Sequence, residues 1–389
     1  MSEMPDIRAS FQRFPRWTQH FWTWWTGKAL PGQRPLIRHT WWSYLAGTLG
    51  AYFAGLCVST SAIVVQFPHW WWALAGGWAL TIWAARAMIL VIAHQCIHKQ
   101  FSGSARIDAF CGELVTVLTL FQDAKAFKEE HFDAHHRRGV FATSDDPPVE
   151  VLLGLGFRPG MTKRRLWIQV LWVFCTPGLY VRGFRDRLLC NLGSGTWRRA
   201  GFFLWAGWWL SLPLWAPNGG AALLVAFVLP VIPVAQLSAL LDKLGEHAWL
   251  SPPHVADGPR YYHVSASWAR FCGSAVPTAS TPWPRQLIDW PLWVLNMLLY
   301  HLPSRLFVIV GDLPNHDWHH RYPGARTWAI AAYERQRDID EADDDQPPYS
   351  EVWGVCEAVS RMFESLSAAA PSSAPDLASG VDAVSHPAV

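Results

Sequence analysis

The sequence predicts an all-α integral membrane protein: four transmembrane helices in two hairpins, with a cytoplasmic helical cap holding a His-rich site for two metal ions. Three observations carry this. The 389 residues are 51% apolar and only 16% charged, with 26 Trp, a composition suited to bilayer spans with aromatic rings at headgroup level. Apolar stretches come in pairs joined by short neutral links. Three tight histidine clusters lie beyond the apolar segments, on the side away from the neutral links.

Residues 1–43 interleave Arg8, Arg13, Arg16, Lys28, Arg34 and Arg38 with Trp17, Phe21, Trp22, Trp24 and Trp25. This reads as an interfacial segment on the cytoplasmic membrane face. It is polar and basic where a cleavable leader would be apolar. Residues 44–66 and 70–93 are each long enough as helix to cross the hydrocarbon, and their link carries only His69. Arg86 lies inside the second run and must face protein, water or the interface. Residues 107–121, with Glu113, are expected as a half-buried helix. Residues 123–200 carry about 13 Lys and Arg, and residues 166–181 within them read as interfacial.

Residues 202–215 and 221–241 form the second apolar pair, linked by Ala216-Pro217-Asn218-Gly219-Gly220. Basic residues flank both pairs on one side, so the positive-inside rule places both termini and all three clusters in the cytoplasm. Residues 290–310, interrupted by Pro291, Pro303 and Arg305, read as a re-entrant or interfacial helix. These elements make residues 44–345 one membrane and catalytic domain. Residues 346–367 form an amphipathic helix presenting Val352, Trp353, Cys356, Val359, Phe363 and Leu366 on one face. Residues 368–389 have too little to bury and read as disordered.

The clusters are His94-Gln95-Cys96-Ile97-His98, Glu130-His131-Phe132-Asp133-Ala134-His135-His136 and Asn315-His316-Asp317-Trp318-His319-His320. Eight imidazoles are too many for one ion and about right for two. At helical spacing His94 pairs with His98, His131 with His135 and His316 with His319, leaving His136 free to reach the other ion. His247, in Gly245-Glu246-His247, is a ninth candidate. Glu130, Asp133, Glu246 and Asp317 abut these histidines and are candidates for orienting them through the second ring nitrogen. The histidines at 20, 39, 69, 254, 263, 301 and 386 are isolated and read as surface or packing residues.

Imidazole suits several transition metals. Iron is favoured because the seven scattered cysteines form no CxxC pair, which also argues against disulfides and a fused rubredoxin. There is no His-Glu-x-x-His of a zinc protease either. Adjacent histidines such as His135-His136 argue against a bis-His haem electron carrier, since neighbouring residues cannot flank one haem. A metal transporter would need ligands along its spans. No basic run fits nucleic acid.

These three boxes resemble the membrane fatty acid desaturase superfamily, over roughly residues 44–325. The resemblance implies two bound irons that activate O2, with His94, His98, His131, His135, His136, His316, His319 and His320 as ligands and His247 as the ninth. The second box has three residues between its first histidines where acyl desaturases have two. That spacing, His98-Lys99 and Ala142-Thr143-x-x-Asp146-Pro147 look more like alkane hydroxylases, which usually carry more spans. Arg321-Tyr322-Pro323 again resembles acyl desaturases. A third similar branch comprises decarboxylases converting free fatty acids to terminal alkenes. The expected enzyme is an O2-dependent diiron oxidoreductase in a bacterial inner membrane, acting on a fatty acid or acyl chain. Its expected product is a C=C bond, with decarboxylation to a 1-alkene or hydroxylation as alternatives. Electrons must come from outside, from a ferredoxin or rubredoxin with its reductase, because no cytochrome b5 signature is present; His386-Pro387 is not one.

Overall fold

The structure, a computed structural model, describes residues 6–253, 258–278, 281–342 and 347–370. His254, His386 and the tail reading from residue 371 onward lie outside the described residues.

The N-terminal segment is docked on protein. Arg8 is fully buried, its guanidinium reaching Gln19 (2.9 Å), Thr23 (3.1 Å) and the Lys28 carbonyl (3.0 Å). These groups staple the chain to α1 (Gln19–Thr26). Phe11 and Trp25 are buried against Val276 and Met297, while Trp17, Phe21 and Trp24 stay exposed. The aromatic density therefore serves two faces.

α2 (Trp41–Val65) opens on a reciprocal cap, with Thr40 Oγ1 accepting from the Ser43 N–H and Ser43 Oγ accepting from the Thr40 N–H. That arrangement satisfies two end donors. The chain turns through Gln66 and His69, both left-handed (φ 50° and 59°), into α3 (Trp70–Ile97). The two helices nearly touch backbones. A Cβ on Gly55 would sit 2.7 Å from the Gly77 carbonyl, and one on Gly77 2.8 Å from the Gly55 carbonyl. Small residues at such a crossing are how helices associate where lipid gives no hydrophobic drive.

α4 (Ala105–Leu118) is the expected half-buried helix, and its Glu113 pairs with Arg198 at 2.6 Å. α5 (Ala124–Lys128) runs on into a wider-wound segment, Glu129–His135. α6 (Pro147–Gly154) follows, then α7 (Lys163–Cys175) and α8 (Pro177–Gly193), which break at Thr176 before Pro177. Leu171, Trp172 and Val181 stay exposed along the break.

Among the described residues three helices are long and apolar enough to cross a membrane: α2, α3 and α10 (Gly219–Glu246). The expected third span, α9 (Thr196–Trp215), is helical over 20 residues but is not one of them. Arg198 and Arg199 occupy its first turn and much of the rest is amphipathic Trp, so its wholly apolar length is too short. A fourth candidate is a bent pair, α11 (Trp283–Val308) with Leu313–Arg321, broken by 83°. Here the expectation needs correction, because the helix runs through Pro291 and Pro303. Pro291 sits within ordinary α turns, and wide turns at Met297–His301 and Ser304–Val308 flank Pro303. The break falls instead at Gly311 (φ 56°), where Arg305 donates to the Ile309 and Gly311 carbonyls (2.5 and 2.9 Å).

Past the break come α12 (His316–Arg321), α13 (Ala331–Asp340) and α14 (Val355–Ala368). The protein is mostly helical but not all-α: β1 (Ala269–Phe271) and β2 (Glu351–Trp353) pair in parallel, Ala269 against Glu351. Val352 and Trp353 are therefore strand residues, separated from α14 by Gly354 at φ 97°. Val359, Phe363 and Leu366 are buried as expected, while Cys356 is exposed. The main core joins α2, α3, α4, α10 and α14. Inside it Arg86 pairs with Asp242 at 3.1 Å, and Asp242 also takes Arg270 at 2.6 Å. The cation inside the second apolar run is thus inward-facing and structural.

Candidate metal centre

Nine histidines meet in two groups. His94, His98, His131, His136 and His319 form one, and His135, His247, His316 and His320 the other; within each, one ring nitrogen per residue lies within 4.8 Å of all the rest. They come from the end of α3, the segment after α5, the residue after α10, and α12. Four distant stretches converge as the spacing implied, but the pairing within two boxes differs.

The cause is local winding. Residues 129–135 wind with bonds between i and i+5, shown by the His136 N–H donating to the His131 carbonyl at 3.1 Å. His131 and His136 then share a face, with Nε2 atoms 3.1 Å apart, and His135 points to the other group. In α12, His316 and His320 share a face (Nε2–Nε2 3.0 Å), while His319 lies 3.0 Å from His94. His94 and His98 stay together as expected, just beyond another wide-wound stretch, Met88–Ala93.

Of the four carboxylates expected to orient histidines, one reaches a ring. Glu246 Oε1 lies 2.9 Å from His316 Nε2, the nitrogen facing its group, so it acts on the inner atom and not the outer one. Asp317 is turned away into a buried pair with Arg335 at 2.9 Å. Asp133 pairs with Lys128 at 2.7 Å near the surface, and Glu130 accepts from Gln122 at 2.8 Å. Alternate positions on a wound segment face opposite ways, and adjacency in sequence misleads here.

The orienting groups lie elsewhere. Both oxygens of fully buried Asp146 are 3.0 Å from His135 Nδ1, and one also accepts the Ala142 N–H at 2.7 Å. His247 Nδ1 lies 3.0 Å from Ser267 Oγ, whose own proton goes to the His263 carbonyl at 2.6 Å. The Ser267 oxygen must therefore accept, which puts the proton on Nδ1 and a lone pair on Nε2 of His247. His263, expected to be isolated, is buried beside the second group. Its Nε2 donates to the His136 carbonyl at 3.1 Å and its ring stacks on His320 at 5.5 Å. Nothing adjacent to it in sequence signals this. Asp146 did carry a signal, the Asp-Pro after the second box.

Burial, reinforced by neighbouring rings, pushes His98 down to about 3 and holds His131 and His136 well below the usual imidazole range. These rings are neutral at pH 7, with lone pairs available. Burial likewise lowers His263 to about 4.

The donor set fits metal. Four ring-nitrogen pairs stand 3.0–3.1 Å apart, and His320 Nε2 faces both His247 and His316. Both nitrogens of His98 are buried without a partner. Crowded lone pairs and orphaned nitrogens are costly unless a cation lies between them. Two imidazole groups with a single inner carboxylate suit borderline transition ions, iron included.

No curated protein matches the chain. The model of the family described as fatty acid desaturase matches residues 68–353, which contain all nine histidines. With most of its length matched and its apolar helices in place, the chain belongs to the fatty acid desaturase family and is an integral membrane oxidoreductase.

Proposed function

We propose that the protein is a non-haem diiron oxidase that uses O2 and externally supplied electrons to oxidise an unactivated C–H bond of a fatty acid or acyl chain, forming a C=C bond. The observation that supports it most is the division of nine converging histidines into two adjoining groups. His94, His98, His131, His136 and His319 hold one iron, and His135, His247, His316 and His320, with Glu246 at hand, hold the other. Bound iron supplies the oxygen activation and hydrogen removal.

The chain's residues prepare that chemistry. Asp146 and Ser267 fix the tautomers of His135 and His247, so both present Nε2 inward. Gln95 Nε2 donates to Asp312 at 3.0 Å, tying the first box to the turn before the third. Buried Phe127 and Phe141 stand against His131 and His135, keeping bulk water from the rings. Basic residues flanking the spans support a topology of four spans with both termini and the site cytoplasmic, and electrons from a ferredoxin or rubredoxin.

Product analysis by gas chromatography tests the reaction. Purified protein with a ferredoxin system is offered lauric acid, an acyl thioester and an alkane. An unsaturated product supports the reading; alcohol alone, or no O2-dependent product from any of them, contradicts it.

A further inference from the structure

Seven buried arginines have well-defined partners, Arg8 among them, and Arg187 does not follow them. Arg86 and Arg270 share Asp242, Arg198 has Glu113, Arg321 has Asp338 and Arg335 has Asp317. Arg305 spends its donors on three carbonyls. Arg187 on α8 is 5% exposed, and among the described residues no carboxylate pairs with it. Its one hydrogen bond is Nη1 to the Thr119 carbonyl at 2.9 Å, and its Nε is buried without a partner. The Phe121 ring lies 5.9 Å from the guanidinium, but an aromatic face and one carbonyl do not neutralise a buried cation, which implies an anion that arrives from outside.

The cavity that Arg187 lines shows where that anion goes. It measures about 80 Å³ and is also lined by His94, His131, His135 and His316, so it borders both histidine groups. Its carboxylates are engaged: Asp242 by two arginines, Glu246 by His316, Glu130 by Gln122. Lys243 lines the same cavity and has no ion-pair partner among the described residues. Ile89, Leu90, Phe121 and Phe127 supply apolar wall. Cavities that enclose a whole drug-sized ligand run to roughly 300–1,000 Å³, so this one has room for a small charged head and its first carbons. A larger groove of about 410 Å³ touches none of the nine histidines.

We infer that Arg187, assisted by Lys243, is the carboxylate anchor of a free fatty acid that enters head first, and that Arg187 sets specificity for the acid over its esters and thioesters. This rests on the diiron reading above and narrows its substrate class. Planar, bidentate donation suits a carboxylate, and a thioester offers no charge to it. The C–H bonds brought beside the histidine groups are then those nearest the carboxyl.

The test is equilibrium binding of laurate and methyl laurate to the iron-loaded protein in detergent without O2, with iron content measured alongside. Wild type is expected to bind laurate at least tenfold tighter than the ester. Arg187→Gln should erase that preference with iron retained, Arg187→Lys should restore part of it, and Lys243→Gln should weaken laurate alone by a smaller factor. Unchanged preference in folded, iron-loaded Arg187→Gln overturns the anchor; if that variant fails to fold, Arg187→Lys decides, a reduced preference supporting the anchor and an unchanged one overturning it. Equal binding of acid and ester by iron-loaded wild type overturns the anchor but leaves the oxidase reading standing. Wild type that takes up no iron overturns that reading and the anchor with it.

Discussion

His131 and His136 serve one nitrogen cluster because their segment is closed by hydrogen bonds between residues five apart. Their Nε2 atoms are 3.1 Å apart, while the intervening His135 turns to the second cluster and is held there by Asp146. One short segment thereby supplies both groups, and the wider winding is what permits it.

This division makes a mutational prediction. His136→Ala and His319→Ala each remove a donor from the five-histidine group, and each should abolish turnover while the protein remains in the membrane. Iron per chain and product formation are the measurements. Full activity in either variant would show that the group does not hold a working ion.

Asp146→Asn keeps the shape but removes the charge that fixes His135 Nδ1–H. Loss of an orienting partner typically weakens metal binding by about 10–100-fold. Iron should be lost from the variant at correspondingly lower chelator concentration. Unchanged retention would mean that His135 needs no orientation.

Asp242 compensates two buried guanidiniums, Arg86 at 3.1 Å and Arg270 at 2.6 Å. Asp242→Asn leaves both unpaired and should cost about 3–5 kcal/mol, read as a lower unfolding midpoint in detergent. A shift equivalent to under ~1 kcal/mol, the scale of an exposed pair, would show that solvent reaches this network.

Gly77→Leu puts a side chain where a Cβ alone would already meet Ser59 Oγ at 2.2 Å and the Gly55 carbonyl at 2.8 Å. Overpacking of this kind costs about 1–3 kcal/mol or more. The hairpin carries His94 at its far end, so iron content should fall together with the midpoint. Gly76→Leu, at a position with open space, is the control and should change neither.

The three boxes and His247 were legible in the sequence because imidazole clusters of that density have few structural uses. The spans α2, α3 and α10 were legible because an apolar run of that length with so few charges is nearly diagnostic. The pairing inside the boxes was not, because wide turns leave no mark in composition and His131 with His135 looked like an ordinary helical pair. Asp317 and Asp133 sit beside histidines in sequence yet pair with Arg335 and Lys128. The group that orients His135 lies eleven residues along, at Asp146. His263 is brought in by chain folding alone. Pro291 and Pro303 looked like breaks, but Gly311 supplies the bend.

The direct test of the whole account is metal analysis of protein purified from iron-supplemented cells. Two crowded imidazole groups predict about two irons per chain, retained on gel filtration and lost with an iron chelator. A single zinc per chain with no iron would contradict it.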